Sequence, residues 1–113
     1  MERMPQAEPI AVAREGRTRV VAETPELRVT EYVLGKGEAL PWHFHSEVTD
    51  HFYCLQGMIR VALREGGQEW LLRPGESCTV PPQVVHRSSN AEEGTSRYLL
   101  VQGIGRHDFI KVD

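Results

Sequence analysis

Long apolar runs are missing from this 113-residue chain, so no stretch approaches the length needed to cross a membrane as a helix. No segment sustains a 3.6-residue apolar period, and glycine and proline recur too often for a long helix. There is no basic stripe. The formal net charge is −3 and the basic residues are interspersed with acidic ones, which speaks against a nucleic-acid partner. Cysteine is scarce. Cys54 and Cys78 are too few for a disulfide framework and read as reduced thiols, small buried hydrophobes in a cytoplasmic protein. Residues 1–9 carry Glu2, Arg3 and Glu8 and lack the apolar stretch of a signal peptide. A Gly-x-Ser-x-Gly elbow and a glycine-rich phosphate loop are both absent, so neither an acyl-transfer triad nor nucleotide binding is supported.

What is present is a series of short β-type runs separated by turns. Ala7 to Arg14 and Thr18 to Ala22 are candidate strands. Leu27 to Leu34 is clearer, with Leu27, Val29 and Val33 on one face and Arg28, Thr30 and Tyr32 on the other. Leu40 to His45 is extended, since Pro41 opposes helix. His51 to Gln56 and Met58 to Arg64 follow, and Gly66-Gly67 closes a hairpin into Gln68 to Leu72. Ser77 to Val80, Val84 to Ser88, Arg97 to Val101 and a tail strand His107 to Val112 complete the set. Many short strands spaced by turns imply an all-β sandwich or barrel built as one domain over residues 1–113.

The chemistry sits in Pro41-Trp42-His43-Phe44-His45. Alternate residues of a strand share a face, so His43 and His45 project into one space. Two imidazoles on one face make half of a metal site. His86 lies on a separate candidate strand, and Asp50 offers a carboxylate. The spacing of His-x-His alone is a weak signal. The wider pattern is stronger. Gly37 is followed by five residues, His43-x-His45, four residues, Asp50, six residues and Gly57. Gly75 is followed by five residues, Pro81-Pro82-Gln83, two residues, His86, three residues and Asn90. These segments, 37–57 and 75–90, resemble the first and second motifs of the cupin superfamily, in the expected order.

That resemblance implies a double-stranded β-helix, or jelly-roll barrel, with His43, His45, Asp50 and His86 as metal ligands inside its mouth. Two positions depart from the family pattern. Asp50 stands where glutamate is usual and is one methylene shorter. Gln83 stands where glycine is usual, in a turn where positive φ is costlier for glutamine. Three nitrogens and one oxygen suit one divalent transition metal: Mn, Fe, Co, Ni, Cu or Zn. Magnesium and calcium, which prefer all-oxygen shells, suit it less.

Parity directs His51 away from the cluster and places Phe52 and Cys54 with Asp50, and Ser88 and Asn90 with His86. Glu47 is a loop acid. Trp42 and Phe44 point away from the histidines and pack. Tyr32, Tyr53, Tyr98, Arg60 and Gln102 are candidates for contacting a small-molecule substrate. The resemblance implies a metalloenzyme acting on a small polar or anionic metabolite, by isomerisation, decarboxylation or oxygen chemistry. It equally allows a binding or sensor module, or a metal that mainly ties the barrel together. Small members of the family commonly form homodimers, and residues 1–9 are expected to be flexible or strand-swapped.

Overall fold

The structure, a computed structural model, describes residues 18–113. The expected strand over Ala7 to Arg14 and the expectations for residues 1–9 lie outside these. Ten strands follow one another: β1 (Thr18–Thr24), β2 (Leu27–Leu34), β3 (His43–Phe44), β4 (Asp50–Gln56), β5 (Ile59–Leu63), β6 (Glu69–Leu72), β7 (Ser77–Val80), β8 (His86–Asn90), β9 (Ser96–Gln102) and β10 (Ile110–Lys111). They form two five-stranded antiparallel sheets, β1-β2-β9-β4-β7 and β10-β3-β8-β5-β6. Neighbours in a sheet are mostly distant in sequence, as a jelly roll requires. No helix occurs among the described residues, and none there is long and apolar enough to cross a membrane.

Strict alternation makes the interior. β4 buries Asp50, Phe52 and Cys54 and turns His51, Tyr53 and Leu55 outward. β8 buries His86, Ser88 and Asn90, and β9 buries Ser96, Tyr98, Leu100 and Gln102. Leu34, Phe52, Ile59, Val61, Tyr98 and Leu100 fill the centre. Fully burying a side chain such as Phe52 or Ile59 contributes roughly 1.5–3 kcal/mol. In β2 the face that enters the barrel is that of Arg28, Thr30 and Tyr32, continued by Leu34; Val29 and Val33 lie half-buried on the other. The more apolar-looking face of this strand is therefore the outer one. Tyr32 packs inward on Tyr98, their rings stacked with centroids 5.0 Å apart.

Several boundaries differ from the sequence expectation. Regular pairing over the expected Leu40–His45 strand shrinks to His43–Phe44, because Pro41 interrupts the ladder and has no N–H to give. The expected Val84–Ser88 strand is shifted to His86–Asn90, since the preceding Pro81–Val85 stretch is taken up by a turn. The tail pairs only at Ile110–Lys111, against β3. Gly57, at the end of the first motif, has φ +77°, and a Cβ there would run into Ser96 Oγ.

Candidate metal centre

Three strands and one loop deliver the cluster. His43 on β3 stands directly opposite His86 on β8. His45 follows β3 by one residue. Asp50 begins β4 in the facing sheet, paired with Gln102 of β9 on one side and Val80 of β7 on the other. All four side chains are buried, and one donor atom from each lies within 4.8 Å of the others. The rings crowd together, His43 lying 4.9 Å from His45 and 4.4 Å from His86, centroid to centroid.

Each histidine is held by its outer nitrogen. His43 Nδ1 is 2.8 Å from the Pro41 carbonyl oxygen, His86 Nδ1 is 2.8 Å from that of Val84, and His45 Nδ1 is 2.5 Å from that of Asp108. A carbonyl only accepts, so each Nδ1 carries the proton and donates it. The neutral ring then turns a bare Nε2 lone pair inward, the tautomer a metal ligand needs.

That creates a conflict unless something positive sits between. Asp50 Oδ2 lies 2.9 Å from both His45 Nε2 and His86 Nε2, while Gln102 Nε2 donates to Oδ1 at 2.8 Å. His45 Nε2 is buried and, despite its nearness to Oδ2, lacks the geometry of a hydrogen bond and has no partner. A cation among these lone pairs resolves the conflict, and a three-nitrogen, one-oxygen set fits a divalent transition metal.

Without a metal, the charges divide unevenly among the four groups. Burial, with His86 beside it, pushes the His43 pKa down to about 4, leaving a neutral ring at pH 7. Burial would raise the Asp50 carboxyl, but His45, His86 and Gln102 outweigh it and hold the pKa well below the usual carboxylate range. Burial alone would lower His45; the neighbouring Asp50 and Asp108 outweigh that and raise it.

The remaining candidates sort by face. His51 points outward, 3.1 Å from Thr79 Oγ1. Glu47 is in the loop and accepts from the Arg106 N–H. Tyr53 is exposed, and Arg60 pairs outside with Glu69. Tyr32, Tyr98 and Gln102 do face in. Tyr98 is engaged with Ser88 Oγ at 2.6 Å, and burial raises the Tyr32 pKa to about 12. The Trp42 ring is approached by the guanidiniums of Arg87, 4.6 Å from its centroid, and Arg64, 5.7 Å from it.

Gln83 departs from the family pattern without disturbing the site. It adopts φ +72°, the only non-glycine residue described with positive φ, so the turn keeps the glycine conformation. Its backbone N–H donates to the His45 carbonyl and its side-chain amide to that of Ser46. Two hydrogen bonds onto the ligand-bearing segment offset the strain of order 1 kcal/mol.

The sequence reading passed over the tail. Phe109 stacks on His43 at 3.9 Å, and the Asp108 carboxylate accepts from Ser46 N and Oγ. The signal available was slight: an aromatic and an acid close to the C-terminus, with no motif.

Comparison with known proteins agrees with this geometry. The family model for the cupin domain matches residues 30–102. A 51-residue stretch is 39% identical to quercetin 2,3-dioxygenase from Bacillus subtilis, covering 45% of this chain and only 14% of that protein. An uncharacterised conserved protein from Klebsiella pneumoniae with a double-stranded β-helix domain superposes with a TM-score of 0.75 at 22% identity, over 98% of this chain and 90% of that one. KdgF from a Halomonas species gives 0.70 at 26% identity over 80% of each chain. Oxalate oxidase in complex with the substrate analogue glycolate gives 0.70 at 15% identity, over 76% of this chain and 46% of that one. With a family model spanning most of its length and both sheets of a double-stranded β-helix, the chain belongs to the cupin family.

Proposed function

We propose that this chain is a single-domain, metal-dependent cupin over residues 1–113, with His43, His45, Asp50 and His86 as ligands to one divalent transition metal. Its substrate is a small polar or anionic metabolite, and the chemistry is of the isomerase, decarboxylase or dioxygenase type. The observation that carries this reading is the orphaned His45 Nε2 among rings whose Nδ1 protons are all committed to main-chain carbonyls. The bound metal would supply Lewis acidity toward a substrate oxygen. Gln102 orients Asp50 through Oδ1, and Phe109 covers the His43 ring, so the protein holds its donors in place before anything binds. The likeness to quercetin 2,3-dioxygenase and the shared fold of oxalate oxidase favour oxygen chemistry among the three types.

A binding or sensor module is the second reading. Besides the cluster, the inner face offers Tyr32 and Tyr98, both kept protonated by burial, and neither is a ready general base. We further infer a cytoplasmic homodimer. The outer face of β4 and β2 presents Tyr53 and Leu55 exposed and Val29 and Val33 half-buried, an apolar surface suited to an isologous contact.

The test is elemental analysis of protein purified without added metal, followed by an oxygen-uptake and isomerase screen. A stoichiometric transition metal with turnover is expected. Metal with saturable binding but no turnover selects the sensor reading, and protein that neither carries nor takes up metal sinks both. Light scattering should give twice the 12.8 kDa chain mass.

A further inference from the structure

One crosswise row of the first sheet passes through the metal centre. Asp50 of β4 pairs with Gln102 of β9, Gln102 pairs with Arg28 of β2, and Arg28 pairs with Glu23 of β1. Directly paired residues share a face, so Arg28 points to the side on which Gln102 holds Asp50. With strands about 4.8 Å apart, the Arg28 backbone lies about 10 Å from that of Asp50, within reach of an arginine side chain extended along the row. Tyr32, two steps along the same face, feels both charges: after burial itself, Asp50 raises its pKa and Arg28 lowers it.

The guanidinium is poorly satisfied where it stands. Arg28 Nε is buried and has no hydrogen-bond partner. Among the described residues that same Nε has only an ion contact, with Glu23 Oε2 at 3.4 Å, long and to a half-exposed carboxylate. An arginine on the inner face of this sheet whose Nε makes no hydrogen bond has a charged donor to offer an anion.

We propose that Arg28 receives a carboxylate of the molecule that binds at the metal centre, so that the ligand is a short diacid with one end at the centre and the other on the guanidinium. This deepens the metal reading above and rests on it. The local charge favours a carboxylate over a phosphate. With Glu23 beside it, the single guanidinium charge balances a monoanionic group better than a dianionic one. The Glu23 contact, at 3.4 Å, is long enough to be exchanged for a ligand carboxylate.

The experiment is calorimetric titration of Ni²⁺-loaded protein with malonate, succinate and glutarate, with acetate as the one-ended control. Wild type, Arg28→Gln, Arg28→Lys and Glu23→Gln are compared, with metal content and circular dichroism checked for each. At least one diacid should bind about 10- to 100-fold more weakly to Arg28→Gln, while acetate is unchanged. Arg28→Lys, which keeps the charge and loses the fork, should fall between, and provides the comparison if the glutamine variant folds poorly. Glu23→Gln should bind the diacid as tightly as wild type or several-fold tighter. The Arg28 assignment is overturned if no diacid binds wild type, or if the substitution weakens diacid and acetate equally or neither. Protein that takes up no metal but whose diacid affinity still depends on Arg28 overturns the metal reading instead.

Discussion

The two ends of the barrel interior treat buried polar groups differently. At the Asn90 end this residue donates to the carbonyls of Leu34 and Gly94, and its Oδ1 accepts from Ser96 Oγ and Glu92 N. Ser96 Oγ in turn accepts from Met58 N. Every group is answered from within the chain. At the histidine end His45 Nε2 and Arg28 Nε are buried without a hydrogen-bond partner, although Asp50 Oδ2 lies 2.9 Å from both His45 Nε2 and His86 Nε2. A satisfied network locks a fold, whereas an unsatisfied one marks where the chain expects something else. Asn90 and His86 belong to the same five-residue strand and the same face, so the contrast does not arise from depth or local backbone.

Breaking the histidine end should affect ligation far more than folding. Replacing His43, His45 or His86 by alanine should each weaken metal affinity by about 100- to 1,000-fold, measured by competition with a chromogenic chelator. Asp50→Ala should cost less and His51→Ala almost nothing. Metal loss in His51→Ala with retention in Asp50→Ala would reverse the assigned register.

Breaking the Asn90 end should do the opposite. Gly57→Ala forces a Cβ at φ +77° against Ser96 Oγ and should destabilise the fold by about 2–3 kcal/mol in urea. Asn90→Ala strands several partners and should cost about 1–2 kcal/mol. In neither variant should the metal affinity of the remaining folded protein change appreciably.

Acid sharpens the contrast, because folding changes how readily His43 at the histidine end takes up a proton. The unfolded chain protonates His43 near its ordinary pKa of 6.5, the folded metal-free chain only near 4. Stability from this group is therefore complete above about pH 6.5 and lost as pH falls toward 4. Metal should leave over the same descent, since protons compete for the imidazoles. Occupancy unchanged down to about pH 4 would exclude histidine ligation. The smallest effect belongs to Gln83→Gly, which relieves positive φ but removes the amide bond to Ser46; the net change should stay within about 0.5 kcal/mol.

Strand parity and motif spacing made most of the centre legible. His43-x-His45 share a side because a strand repeats every second residue, and Asp50, Phe52 and Cys54 alternate against His51 and Tyr53 for the same reason. The turn glycines fixed where strands end, and the motif interval from Asp50 to Gly57 set the register that keeps His51 outside. The inward face of β2 was not legible: Val29 and Val33 look more like core than Arg28, Thr30 and Tyr32, and hydropathy alone favours the wrong side. Which face turns in depends on the pairing with β9, where Tyr32 meets Tyr98 and Arg28 meets Gln102. The tail was hidden for a similar reason. Asp108 accepts from His45 across 63 residues, and no local pattern announces a contact made by a carbonyl oxygen. Local sequence determined the alternation along each strand, because that follows from backbone geometry within a few residues. Only the tertiary structure decided which strands became neighbours, and so which buried groups were answered and which were left open, because hydrogen-bond partners come from wherever the chain returns.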